Sequence, residues 1–136
     1  MDDVIDRILR DSRTIAVVGC SADPAKAAHS VPADMQRAGY TVLPVNPNAD
    51  RVLGVPAYPD LAAVPDRIDL VNVFRPAADA PAVAAAAARA GAKALWLQLG
   101  IRSAEAARIA AEAGMDYVED ACIAVERLRR GITRTG

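Results

Sequence analysis

The stretch TIAVVGCSADPAK, residues 14–26, decides the fold of this chain. Its first five residues form an unbroken apolar run that stops at Gly19. A strand whose residues do not alternate between apolar and polar is buried on both faces, which is typical of parallel strands covered by helices. Four further segments have this character, at 41–45 (TVLPV), 69–74 (DLVNVF), 94–99 (ALWLQL) and 116–118 (DYV). The sequence therefore predicts a parallel five-stranded sheet.

Helical segments lie between the predicted strands. One apolar stripe predicts an N-terminal helix within residues 1–13. Further helices are predicted at 31–38 with Ser30 as N-cap, near 61–64, at 77–90, and at 104–113 with Ser103 as N-cap. The alternating order predicts the α/β class, as a Rossmann-like, doubly wound parallel sheet with helices on both faces.

Length and composition indicate one globular domain. The chain has 136 residues, of which 53% are apolar and 24% charged, a balance typical of globular rather than disordered proteins. We expect a single domain over 1–136, with a disordered tail at 131–136. The net charge of −1 argues against a broad nucleic-acid surface.

Several further classes are disfavoured. Cys20 and Cys122 lie far apart and form no CxxC pair, so neither a disulfide framework nor a metal site is predicted. The acidic, helical N-terminus differs from a signal peptide. The longest apolar run, residues 80–88, is too short to cross a membrane. We therefore expect a cytoplasmic protein.

The ligand of an open α/β sheet binds beyond the carboxyl ends of its strands. In the first such turn, Gly19 lets backbone approach a ligand closely, and the Ser21 hydroxyl can donate to a phosphate oxygen. The next helix adds N–H groups and a positive dipole end. The alternative is a plain βα turn, in which Gly and Ser are common for geometric reasons.

The same turns disfavour a redox dinucleotide. The GxGxxG pattern is missing, because Ser21 and Pro24 occupy the places of its second and third glycines. Asn46 and Pro47 stand where an acid would hold the ribose. A GxxxxGK[ST] phosphate loop is likewise missing from the sequence.

Six sequence blocks carry a family resemblance. They are GCSADPAK (19–26), GYTVLPVNPNA (39–49), LGVPAYPDLAAVP (53–65), DLVNVFRP (69–76), GAKALWLQLGI (91–101) and EDACI (119–123). Together they resemble the small single-domain CoA-binding proteins, whose domain is related to the N-terminal CoA-binding domain of the succinyl-CoA synthetase alpha subunit. The resemblance covers about residues 14–129 and implies coenzyme A as the cofactor.

The resemblance also implies the binding residues. Gly19 and Ser21 would meet the pyrophosphate, and Lys26 would meet the 3′-phosphate unless it is only solvated surface. Arg75 can direct two donors to a phosphate. The remaining residues would be Val45, Asn46 and Pro47 at the adenosine end, Phe74 and Pro76 along the pantetheine or phosphate path, and Gln98 at the floor of the crevice.

Two residues near the first turn have alternative roles. His29, where the family often has a hydroxyl residue, could contact a phosphate when protonated or could be a surface histidine at a helix start. Cys20 could be a reactive thiol that forms a mixed disulfide with CoA, or it could pack inward as a small apolar residue.

These predictions leave two classes of function open. The first is a CoA or acyl-CoA binding module, non-catalytic or regulatory, that serves an acyltransferase or ligase partner. The second is an enzyme that acts on an acyl-CoA or nucleotide in the same crevice. No catalytic residue is assigned, because the only histidine, His29, has no evident carboxylate to orient it. The apolar C-terminal segment is compatible with a homodimer.

Overall fold

The computed structural model describes residues 2–134. Its helices are α1 (Asp2–Asp11), α2 (Ala27–Arg37), α3 (Ala80–Arg89), α4 (Ala104–Glu112) and α5 (Ile123–Arg130). Its strands are β1 (Thr14–Val18), β2 (Thr41–Val45), β3 (Arg51–Val52), β4 (Val55–Pro56), β5 (Leu70–Val73), β6 (Ala94–Leu97) and β7 (Asp116–Val118). Short 3-10 turns occupy Leu61–Ala63 and Ala77–Asp79.

Five of these strands form one parallel sheet in the order β2-β1-β5-β6-β7. Ile15 in the central strand pairs with Val42 on one side and Leu70 on the other. The predicted Rossmann-like α/β fold with a five-stranded parallel sheet is therefore confirmed. The apolar runs that predicted these strands are buried because helices cover both faces of the sheet.

Each face of the sheet has its own core. On one face Trp96 and Val17 pack with residues of α1, α2 and α5, including Met35 and Ile123. On the other face Val71 and Leu95 pack with the small side chains of α3 and α4. Alanine suits those two helices because it is a strong helix former and lets them approach the sheet closely.

The strand order reverses between β1 and β5. The chain runs outward from β1 to β2 and then returns to build β5, β6 and β7 on the opposite side. The connections therefore diverge from the carboxyl ends of β1 and β5, and a crevice forms there. This is the edge of the sheet on which the sequence predicts a ligand.

Two segments differ from the sequence prediction. The irregular region after β2 contains an antiparallel hairpin of β3 and β4. Residues 131–134, predicted as the start of a disordered tail, are packed instead: Ile132 is buried, and the Arg134 N–H donates to the Ala38 carbonyl at 2.6 Å. A Cβ on Gly39 would overlap the Arg134 carbonyl oxygen, so this contact requires glycine. The last two residues, 135 and 136, lie outside the described residues.

Within residues 2–134, no helix combines the length and apolar character needed to cross a membrane.

Candidate functional site

A cavity of about 900 Å³ opens at the carboxyl ends of β1, β2 and β5, alongside α3. Eight residues of the predicted site line it: Gly19, Ser21, Lys26, Val45, Asn46, Pro47, Phe74 and Arg75. The strand order brings them together, since β1 lies between β2 and β5. The sheet thus assembles one site from three turns that are distant in the sequence.

Gly19 allows the first and third of these turns to touch. Its φ is +87°, and a Cβ built on it would lie 2.8 Å from the Phe74 carbonyl oxygen and 3.2 Å from Cδ of Arg75. The surrounding backbone is tied together, because Phe74 N–H donates to the Val18 carbonyl at 2.9 Å and Gly19 N–H donates to Val45 at 3.2 Å. A side chain at position 19 would separate these walls of the cavity.

The loop after Gly19 is folded by its own polar side chains. Ser21 Oγ accepts from the Asp23 N–H at 3.0 Å, and Asp23 Oδ1 accepts from the Ala25 N–H at 2.9 Å. Such bonds are typical of Ser and Asp in tight turns. Because Ser21 Oγ acts as an acceptor in this turn, its hydroxyl hydrogen remains available to donate to a ligand.

The helix that follows this loop begins earlier than predicted. α2 starts after Lys26, whose carbonyl accepts from the N–H groups of His29 and Ser30, both at 3.0 Å. The prediction of Ser30 as N-cap is therefore wrong. The reason is that the folded loop already brings the chain to helical geometry at Ala27. The start of the helix consequently lies at the cavity, where Lys26 and Ala28 are lining residues.

Free donors are available at the start of α2. The N–H groups of Ala27 and Ala28 donate to no acceptor among residues 2–134. The first N–H groups of any helix lack intrahelical partners and carry its positive dipole end. With the Lys26 ammonium beside them, they can hold an anion. His29 is half-buried and is not among the lining residues.

Asn46 joins two walls of the cavity. Its Nδ2 donates to the Cys20 carbonyl at 3.0 Å, and its Oδ1 accepts from the Asn48 N–H at 2.7 Å. Its backbone N–H donates to the Tyr58 carbonyl at 2.8 Å. The amide that the sequence predicts at the adenosine end is therefore used to position the turns after β1 and β2.

Arg75 is held by a carboxylate that the sequence analysis missed. Its Nε and Nη2 both donate to Oδ2 of Asp79, at 3.2 and 2.8 Å. Both side chains are about half exposed, and such exposed pairs are weak, typically worth about 0.2–1 kcal/mol. A phosphate can therefore replace Asp79 as the partner of the Arg75 guanidinium at a small cost in free energy, because a phosphate can carry more negative charge than a carboxylate.

The charges that line the cavity cancel. Among residues 2–134, its lining holds two cations, Lys26 and Arg75, and two carboxylates, Asp60 and Asp79. Asp60 caps the 3-10 turn after it, accepting from Ala63 N–H at 2.9 Å. An anion in this cavity is consequently met by backbone N–H groups and the α2 dipole, in addition to two side-chain cations.

Cys20 is among the residues that line the cavity, but its side chain is buried in the core. The residue is 1% exposed and packs in the core with Met35 and Val17. Burial raises the pKa of its thiol to about 11, so the thiol is protonated near neutral pH. The alternative in which Cys20 packs inward is the one that the structure supports, because the thiolate is the reactive form.

Two predicted residues do not line the cavity. Gln98 is 6% exposed, and its Oε1 accepts from Asn72 Nδ2 and from the Ile123 N–H, each at 3.3 Å. Alternation along the strand places Gln98 on the same face as Trp96, beneath α5, whereas the cavity adjoins α3. Pro76 precedes the 3-10 turn at Ala77–Asp79 with its side chain exposed.

The remaining wall comes from α3, which the sequence analysis did not include. Ala82, Val83 and Ala86 face the cavity. Their spacing is that of one helix face, which is the signal that could have identified them. Their small size leaves room for a ligand chain along this wall.

Comparison with known proteins adds a family match. A family model described as "CoA binding domain" matches residues 13–127 of the chain. The protein YneT of Bacillus subtilis (strain 168) is 41% identical over 121 residues, which cover 89% of this chain and 90% of YneT. The match supports the resemblance predicted from the six sequence blocks.

A ligase and a solved structure extend the comparison. "Acetate--CoA ligase [ADP-forming] II" of Archaeoglobus fulgidus is 32% identical over 83 residues, or 60% of this chain, which spans only 12% of the ligase. A solved structure of a protein from Pyrococcus horikoshii OT3 has a TM-score of 0.91 at 35% identity, covering 95% of this chain and 91% of that one.

Proposed function

The chain belongs to the CoA-binding domain family, and from this premise we propose that it binds coenzyme A or an acyl-CoA in the cavity at the carboxyl ends of β1, β2 and β5. The observation that carries the proposal is the convergence of eight predicted residues on one cavity. Those residues come from three separate turns, and a cavity placed elsewhere on the sheet would have collected few of them.

The lining chemistry fits the parts of coenzyme A. Ser21 and the N–H groups at the start of α2 are suited to the pyrophosphate, and Lys26 is suited to the 3′-phosphate. Val45 and Leu61 offer apolar surface to an adenine ring. The small residues of α3 leave a channel for the pantetheine chain. Each part of coenzyme A is thus matched by lining residues of suitable charge, polarity or size.

We assign the protein a binding role rather than a catalytic one. The Cys20 thiol is protonated and buried, and His29 is outside the cavity lining. The ADP-forming ligase relative carries its similar segment within a much longer chain. By analogy, we propose that this domain presents its acyl-CoA to a separate acyltransferase or ligase partner. The cytoplasmic location and the homodimer remain predictions.

Mass spectrometry of the ligand released from purified protein tests the binding proposal. We expect coenzyme A or an acyl-CoA, together with a rise in melting temperature when coenzyme A is added back. Release of NAD(H), or no thermal response to coenzyme A, would contradict the proposal. Turnover of an added acyl-CoA by the isolated protein would instead favour the enzyme class.

A further inference from the structure

Pro32 lies inside α2, beyond its first turn. A proline has no N–H, so the carbonyl four residues earlier receives no intrahelical hydrogen bond, and the proline ring crowds that carbonyl. In α2 the carbonyl concerned is that of Ala28. A proline at such a position ordinarily weakens a helix and leaves this carbonyl open to a donor from outside the helix.

The Ala28 carbonyl accepts a hydrogen bond from the ligand loop. The Ser21 N–H donates to it at 3.0 Å. Any other residue at position 32 would direct its own N–H toward the same oxygen, along the helix axis. Because a carbonyl oxygen can accept two hydrogen bonds, that N–H would compete with Ser21 and weaken its bond rather than exclude it. Pro32 removes this competitor, and the Ser21 bond joins the loop after β1 to the start of α2.

This bond constrains Ser21, whose hydroxyl group is available to donate to a ligand. The backbone of Ser21 is held at its N–H by Ala28, and its Oγ is held by the Asp23 N–H at 3.0 Å. With both groups constrained, the hydroxyl hydrogen has few directions left. Ser21 and Ala28 both line the cavity, so the constraint acts at the site itself.

We propose that Pro32 is a positioning residue for ligand binding: because it lacks an N–H, it reserves the Ala28 carbonyl for Ser21 and so orients the Ser21 hydroxyl in the cavity. The identity of the ligand rests on the proposed function, whereas the positioning of Ser21 does not. Pro32 itself is not a lining residue, so its effect on binding would be indirect.

Two substitutions supply the missing N–H. Pro32→Ala introduces a strong helix former, and Pro32→Val keeps more of the buried apolar volume at this position. Pro81→Ala is the matched control, because Pro81 lies in the first turn of α3, a helix that packs on the other face of the sheet from α2. The control removes a helix proline without adding a donor to the Ala28 carbonyl.

Amide hydrogen exchange of Ser21, measured by NMR in the ligand-free protein, is the primary readout. We expect faster exchange at Ser21 in both Pro32 variants and no change in the control. Calorimetry is expected to show coenzyme A affinity falling about five-fold, the effect of one neutral hydrogen bond. The urea midpoint of Pro32→Ala is expected to stay level or rise, which a merely structural proline would not allow.

The outcomes separate this inference from the proposed function. Unchanged Ser21 exchange in both variants would overturn the role of Pro32, as would equal effects in the Pro81 control. Failure of both Pro32 variants to fold would also overturn it, since Pro32 would then support the core. If the wild-type protein binds no coenzyme A, the proposed function fails, and the Ser21 exchange alone decides the role of Pro32.

Discussion

Substitution of Gly19 by alanine tests the geometry on which the cavity depends. The new Cβ would lie 2.8 Å from the Phe74 carbonyl oxygen, and the φ of +87° is unfavourable for an L-residue. The left-handed conformation costs about 1–2 kcal/mol, and overpacking against backbone adds about 1–3 kcal/mol. We therefore expect Gly19→Ala to lower the free energy of unfolding by roughly 2–5 kcal/mol.

Gly91→Ala provides the matched control. Gly91 has a φ of +75°, and a Cβ built on it meets no atom of residues 2–134 within 4 Å. Its expected loss is therefore only the conformational part, about 1–2 kcal/mol. The change in entropy of the unfolded chain is shared by both variants and cancels in their comparison.

Equilibrium urea unfolding of the wild type and both variants measures these losses, and calorimetry measures their coenzyme A affinity. Gly19→Ala is expected to lose more stability than Gly91→Ala and to bind coenzyme A more weakly. If the two variants lose equal stability, the close approach of the turns after β1 and β5 is not a feature of the protein. If Gly19→Ala binds coenzyme A as the wild type does, the cavity is not the binding site.

Three further predictions concern charge, thiol reactivity and pH. Lys26→Ala and Arg75→Ala are each expected to weaken coenzyme A binding by about 1–3 kcal/mol in calorimetry; unchanged affinity in both would remove the phosphate assignments. Near neutral pH a thiol reagent should label Cys122 in the folded protein and Cys20 only after unfolding, because burial raises the pKa of Cys20 to about 11; rapid labelling of both would contradict this. Burial of Asp69 acts to raise the pKa of its carboxyl group, but hydrogen bonds from two backbone N–H groups help to lower that pKa below its ordinary value. The stability that the ionised carboxylate contributes is therefore complete above the ordinary carboxyl pKa and is lost as the pH falls through the lowered value. We therefore expect Asp69→Asn to unfold with a weaker pH dependence below about pH 4 than the wild type, and identical acid-unfolding curves would count against it.

The sheet was predictable because burial on both faces leaves a strong signature in sequence. The runs at 14–18 and 41–45 match β1 and β2 in their full length. The β3–β4 hairpin left no such signature. Its turn places Leu53 and Gly54 at φ values of 56° and 75°, and a leucine there lacks the Asn-Gly or Asp-Gly pattern typical of such turns.

The site was predictable as far as strand ends determine it. Gln98 follows β6 as the other predicted residues follow their strands, but its side chain is directed to the opposite face of the sheet, toward Asn72. The position of a residue at the end of a strand therefore predicts the edge of the sheet at which the cavity lies, but not the face of the sheet to which the side chain is directed. The pairing of Arg75 with Asp79 depends on the 3-10 turn between them, which the predicted helix at 77–90 did not resolve.

The central claim is that the cavity binds coenzyme A in preference to a redox dinucleotide. Isothermal titration of the wild-type protein with coenzyme A, and separately with NAD⁺, tests it most directly. The cavity lining predicts saturable one-to-one binding of coenzyme A. The missing GxGxxG glycines and the missing ribose-binding acid predict no measurable heat from NAD⁺. Absence of coenzyme A binding, or NAD⁺ binding of equal or greater affinity, would contradict the claim.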